Sequence, residues 1–184
     1  MRVLVTGHQG YLGGSVMVPV LRAHGHNVTG LDSGLFADCI LGAPPPDDPP
    51  TLRLDIREVT AAHLTGFDAV IHLAALSNDP LGYLEPQITY EINHAASVRL
   101  ARCAKVAGVR RFLYASTCSV YGAAGSEPVD ENAPPLRPPS RRTPRARCGS
   151  RTMSRRWRTP GSPRCSCAMP RHSDSHRVSA QTSC

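Results

Sequence analysis

The chain has 184 residues and a formal net charge of +7, but the charge is unevenly placed: residues 1–140 hold 10 Lys and Arg against 13 Asp and Glu, and residues 141–184 hold 11 Arg against one acid, Asp174. The length allows one domain, and the acidic first part excludes a uniformly basic nucleic-acid-binding fold. No apolar run reaches the ~18 residues of a membrane span, which excludes a helical membrane protein.

Val3-Leu4-Val5, ending in Thr6-Gly7, reads as a buried strand. A helical pattern follows from about Tyr11 to Ala23, with Leu12, Val16, Val20 and Leu21 as its apolar face. Pro19 should kink or shorten it, and Gly25 should stop it. Residues 26–32, "HNVTGLD", form the second strand, and the prolines of 43–50 mark a surface loop. "TLRLD", 51–55, is a third strand; "FDAVIHLAA", 67–75, is a fourth and apolar enough to be buried on both faces. Residues 86–107 read as one long helix, with Ile88, Ile92, Ala95, Val98, Leu100, Ala101 and Ala104 inward, and "RRFLYAST", 110–117, is a fifth strand. Strands alternating with helices predict an α/β fold with a parallel sheet.

Residues 141–184 contain no Leu, Ile, Phe or Tyr and are expected to be disordered, since such a segment buries too little apolar surface to offset its ordering entropy. The chain therefore divides into a folded 1–140 and an Arg/Ser/Pro-rich tail, 141–184. Seven cysteines, an odd count, and no signal peptide predict a reduced, cytoplasmic protein. Cys165 and Cys167 with His172 and His176 match no standard zinc spacing, so no metal is expected.

Gly7, Gly10 and Gly13 stand between a strand and a helix at G-x-x-G-x-x-G spacing. Glycines there permit a tight turn and close approach of a pyrophosphate, and the helix N-terminus supplies N–H groups and a positive dipole end. Asp32 ends the next strand, 19 residues beyond Gly13. A carboxylate at that place accepts hydrogen bonds from both adenosine ribose hydroxyls and repels a 2′-phosphate, which points to NAD rather than NADP. His8, His24, His26, His63, His72 and His94 have no partner identifiable in the sequence and read as surface or core residues.

"TGHQGYLG" at 6–13, "LD" at 31–32 and 54–55, "HLAALSNDP" at 72–80, Asn93 in "YEINHAAS" and "YASTCSVYG" at 114–122 occur in the order found in one family. Over about residues 1–140 the chain resembles the extended short-chain dehydrogenase/reductases, and among them the NAD-dependent epimerases and dehydratases of nucleotide sugars, of the UDP-glucose 4-epimerase type. The resemblance implies a Rossmann-type parallel sheet with helices on both faces, here incomplete and so of marginal stability. It implies a nucleotide-sugar substrate, reaction through a transient keto sugar, and a homodimer paired through the helix at 86–107. No specific nucleic acid and no membrane are expected as partners. Carried onto matching positions, it places Gly7, Gly10, Tyr11, Leu12 and Gly13 along the pyrophosphate, Asp32 at the ribose and Asp55 and Ile56 beside the adenine. Leu73, Ala74, Ala75 and Ser116 become further cofactor contacts, Asn93 a cofactor-site residue or a helix-stabilising support behind the site, and Thr117 the catalytic hydroxyl that holds the reacting sugar oxygen.

The same family uses a tyrosine as general acid/base and a lysine four residues on, which lowers the phenol's pKa. The pair belongs near position 142, where this chain has Arg142, with Ala146 in place of the lysine; Tyr121 is the last tyrosine and Lys105 the only lysine. One set of codons permitted for Arg141–Ser154, read two bases on, gives P-Y-A-T-R-K-V-R-I-E-D-D-V, with its tyrosine, one choice among Tyr, His, Asn and Asp, in register with Arg142 and its lysine one choice among Lys, Glu, Gln and a stop. Those permitted up to Asp174 continue as A-A-L-A-D-A-G-F-T-P-V-F-L-R-N-A-T-A-F-G, a helix tail, a glycine stop and a buried strand. A change of reading frame near residues 139–141 is therefore expected, with no turnover by the chain as it stands. The alternatives are a non-catalytic NAD-binding module and a salt-sensitive nucleic-acid binder acting through the arginine tail.

Overall fold

The computed structural model describes residues 1–39, 48–77, 79–117 and 121. Five strands, β1 (Arg2–Thr6), β2 (Asn27–Asp32), β3 (Thr51–Arg53), β4 (Ala69–His72) and β5 (Arg111–Tyr114), form one sheet in the order β3-β2-β1-β4-β5. Every adjacent pair is parallel. This is the doubly wound order, in which the chain leaves β1 toward one edge and returns to β4 on β1's other side. The fold is the α/β Rossmann type expected.

The strands bury both faces. Leu4, Leu31, Val70, Phe112 and Tyr114 face one side and pack with Leu100, Ala101 and Ala104 of the long helix. Val3, Val5, Val28, Ala69 and Ile71 face the other and pack with Val18, Met17 and Leu21 of the first helix. The alternation is that of a pleated strand, and Val3–Val5 and Ala69–Ile71 are unbroken apolar runs because both their faces are covered.

The helix after β1 starts at Tyr11, passes through a π-helical turn at Gly13–Met17 and continues as α1 (Val18–Ala23). The wider turn accommodates Pro19, which has no N–H to give the Ser15 carbonyl. It also rotates the apolar face. Leu12, Val16 and Val20 were expected inward but are exposed, and Gly13 and Val18 are buried in their place. Gly25 ends the helix as expected, at φ +72°, with His26 N–H on the Leu21 carbonyl and Gly25 N–H on that of Arg22.

Two short helices, α2 (Asp79–Leu84) and α3 (Pro86–Tyr90), lead through a second π turn, Glu91–Ala96, into α4 (Ser97–Val106). The extra residue again slips the pattern: Ala95 and Ile88 are exposed, while Asn93, Ala96 and Ser97 are buried. α2 had no counterpart in the sequence reading. The third, fourth and fifth strands are shorter than their apolar runs, because residues past Arg53, His72 and Tyr114 leave the ladder at the sheet's carboxyl edge. Of the loop at 43–50, residues 43–47 lie outside the described residues, as does the whole tail at 141–184.

Candidate functional site

Parallel strands bring the segments that follow them to one edge. Here that edge collects the glycine turn after β1, Asp32 at the end of β2, Asp55 and Ile56 after β3, Leu73–Ala75 after β4 and Ser116–Thr117 after β5. Only the order of strands unites residues up to 110 positions apart.

The glycine turn lies at the switch point between β1 and β4. Gly7 has φ +72°, and its N–H donates to the Leu31 carbonyl at 2.8 Å. A β-carbon on Gly7 would lie 2.7 Å from both Cα and N of Ala74; one on Gly13 would lie 2.5 Å from the Gly7 carbonyl oxygen. The cradle thus has no room for side chains at these two positions, as a backbone surface for a pyrophosphate requires. Gly10 N–H donates to the Gly7 carbonyl at 3.1 Å and closes the turn. Tyr11 and Leu12 stand exposed at its mouth.

Asp32 is partly buried and aimed back at this turn. It accepts Gln9 N–H at 3.1 Å and Gly34 N–H at 2.9 Å, one on each carboxylate oxygen. Each oxygen keeps a lone pair, so the group still suits a ribose diol. Asp55 is engaged differently. Its carboxylate pairs with Arg57 at 2.7 Å, and the Arg57 side chain holds its pKa below the ordinary value. Ile56 was expected beside an adenine, but its side chain is buried in the core with Val59 and Leu64.

Asn93, expected either as a cofactor-site residue or as a helix-stabilising polar residue, reaches from its helix to the backbone of Leu76. Its carboxamide oxygen accepts Leu76 N–H at 2.8 Å and its nitrogen donates to the Leu76 carbonyl at 2.7 Å. It clamps the segment carrying Leu73–Ala75 and is itself buried. Asn93→Ala leaves two buried backbone groups unpaired and is expected to cost about 2–3 kcal/mol, which urea denaturation would measure.

Two histidines read only as core or surface residues prove to organise the edge. His72 is buried between Thr6 Oγ1, 2.6 Å from Nδ1, and Ser97 Oγ, 2.8 Å from Nε2. Ser97 donates its own proton to the Asn93 carbonyl, so it accepts from Nε2–H, and Nδ1 accepts from Thr6. The chain Thr6–His72–Ser97–Asn93 ties β1, β4 and α4 together beneath the site. His8, inside the glycine turn, lies over Gly30, where a β-carbon would meet its ring at 2.4 Å. Its Nε2 donates to Thr51 Oγ1 at 2.9 Å, since that hydroxyl gives its proton to the Pro49 carbonyl. Its Nδ1 is buried without a hydrogen-bond partner among the described residues.

Thr117 and Ser116 are partly buried at the edge beyond β5. Arg142 and Ala146 lie outside the described residues, as do the tail cysteines. Among the described residues no cluster of His, Cys, Asp or Glu suits a metal ion, and no helix is long and apolar enough to cross a membrane.

The chain is similar to known proteins over most of its length. The UDP-glucose 4-epimerase of Mycolicibacterium smegmatis is 36% identical over 143 residues, covering 73% of this chain and 44% of that enzyme. The dTDP-glucose 4,6-dehydratase DesIV of Streptomyces venezuelae, solved with NAD and TYD bound, superposes with a TM-score of 0.70 at 31% identity, over 85% of this chain and 51% of its own. The NAD dependent NDP-hexosamine 5,6-dehydratase TunA gives a TM-score of 0.72 at 26% identity, over 89% and 52%. The chain thus spans about half the length of these relatives. Residues 3–147 match the NAD dependent epimerase/dehydratase family, and the chain belongs to that family.

Proposed function

We propose that residues 1–140 are the NAD-binding part of a nucleotide-sugar epimerase or dehydratase, and that the chain as it stands lacks the acid/base pair of that reaction. The observation that carries this reading is the cradle. Gly7 and Gly13 touch backbone where any side chain would collide, and Asp32 is held by Gln9 and Gly34 with lone pairs to spare. The cofactor is NAD. Gly7, Gly10 and Gly13 would border the pyrophosphate, with Tyr11 and Leu12 at the mouth, and Leu73–Ala75 would form the floor that Asn93 steadies. When bound, NAD supplies the hydride acceptor for a sugar carbon.

Thr117 would hold the oxygen of that carbon by its hydroxyl, with Ser116 beside it. The proton on the same oxygen needs a base. Arg142 and Ala146, at the positions where the family has its tyrosine and lysine, offer neither a phenol nor an ammonium. A frame change near residues 139–141 would account for the loss, since codons permitted for these residues allow Tyr-x-x-x-Lys at the required place in the shifted frame. Sequencing the gene across codons 130–185 tests this; a second frame interrupted by stops would refute it. A homodimer paired along the helix at 86–106 belongs to the same reading, supported by the exposed Ile88, Tyr90 and Val106.

The ribose assignment is tested by Asp32→Ala. Loss of hydrogen bonds to a charged group, worth about 1.5–3 kcal/mol, is expected to weaken NAD binding about 10- to 100-fold in a calorimetric titration. Unchanged affinity would place the ribose elsewhere.

A further inference from the structure

Within the glycine turn Gln9, Gly10, Tyr11 and Leu12 are exposed, but His8 is only 1% exposed. Its ring turns inward over the middle of β2. The socket it fills exists because Gly30 has no side chain: a β-carbon there would lie 2.4 Å from three of the ring atoms. Two tethers hold this end of the turn. His8 Nε2 donates to Thr51 Oγ1 at 2.9 Å, and Gln9 N–H donates to Asp32 at 3.1 Å. Thr51 is the register partner of Gly30, and its hydroxyl is itself fixed on the Pro49 carbonyl at 2.8 Å. The Asp48 carboxylate stands 3.6 Å from the same ring nitrogen, beyond hydrogen-bond reach.

The seat is a costly one for an imidazole. Nδ1 is buried with no hydrogen-bond partner among the described residues. A leucine would fill the socket without that penalty, so packing alone does not call for histidine. What the imidazole adds is one N–H aimed at β3. The backbone of His8 is in turn the wall on which the first helix begins: a β-carbon on Gly13 would lie 2.6 Å from His8 Cα and 2.7 Å from its carbonyl oxygen. Where the ring is seated therefore sets where the helix starts and where its free N–H groups point.

We propose that His8 is a positioning residue of the dinucleotide site. By locking its ring to Thr51 across Gly30, it holds the glycine turn and the start of the first helix where a pyrophosphate needs them. It acts through the backbone of the turn and not by contact with the dinucleotide, as a rigid support beneath a binding surface does. This rests on the reading that the turn holds NAD.

The test is calorimetric titration of NAD into the full chain and into His8→Leu, His8→Gln, Thr51→Val and the double variant His8→Leu/Thr51→Val, with urea denaturation of each. His8→Leu keeps the bulk and loses the donor, and is expected to weaken NAD about tenfold. His8→Gln, which carries an amide N–H in place of the ring N–H, should stay within about threefold of the unaltered chain. Thr51→Val, at an exposed position at the start of β3, should weaken NAD as much as His8→Leu, and the double variant no further, because both changes remove the same tether. The leucine variant should be no less stable in urea, since it also removes the unpartnered Nδ1. Affinity lost without stability is a result that a merely structural role does not give. Equal affinities of His8→Leu and His8→Gln, or losses that add in the double variant, would overturn the proposal while leaving the NAD site intact. Failure of the unaltered chain to bind NAD would overturn the site and the proposal together.

Discussion

Gly7→Ala is expected to abolish dinucleotide binding and to destabilise the chain by about 3 kcal/mol or more. Two costs combine. Gly7 sits at φ +72°, which an alanine adopts at about 1–3 kcal/mol. The added methyl also falls 2.7 Å from the Ala74 backbone and 3.1 Å from that of Leu73, so β1 and β4 must part at the point where the strand order switches sides. Overpacking against backbone adds about 1–3 kcal/mol, because no flexible side chain can give way. Gly25→Ala separates the two costs: Gly25 has the same φ of +72° but nothing within 4 Å of a built β-carbon. It should lose only the conformational part. Urea denaturation of both variants, with NAD titration of each, measures the difference; equal losses would show that the close approach at Ala74 contributes nothing.

The second large effect concerns turnover. The chain as it stands is expected to give no detectable epimerisation or dehydration of a nucleotide sugar. The protein expressed in the frame that encodes Tyr-x-x-x-Lys is expected to turn over. General acid–base catalysis contributes about 10²–10⁴-fold, and a phenol with pKa near 10 needs the neighbouring ammonium to act at neutral pH. On a helix a spacing of four sets both groups on one face, which a tail rich in Arg, Ser and Pro cannot reproduce. Assay of both proteins with UDP-glucose and dTDP-glucose decides the point. Turnover by the 184-residue chain would show that another group carries the proton.

Much of the fold was legible because its strands are buried on both faces. Val3–Val5 and Ala69–Ile71 leave no polar alternative, and the parallel sheet follows from the alternation of strands and helices. The helix faces were not legible. Each long helix contains a π turn, and one extra residue moved Val16 outward and Ala96 inward against a steady 3.6-residue period. α2 was hidden because Pro80 and Gly82 in "NDPLGYLEP" are poor helix formers. At the site, the tight turn at Gly7 and the place of Asp32 at its strand's end were legible because both depend on position next to a strand. The burial of the Ile56 side chain was not, since the sequence does not say which way the chain turns after Asp55. His8 and His72 were legible as core or surface residues, but their hydrogen-bonding roles were not. Their partners Thr51, Thr6 and Ser97 lie 43, 66 and 25 residues away and meet them only through sheet order. The single hint was a histidine inside an apolar strand, which needs buried partners for both ring nitrogens.

The central claim is that the cradle between β1 and β4 holds NAD. Its most direct test is a calorimetric titration of NAD into the purified chain, with circular dichroism to establish that the chain is folded. Saturation at one NAD per chain, lost in Gly7→Ala and weakened in Asp32→Ala, is the result expected. A folded chain that takes up no NAD would contradict it.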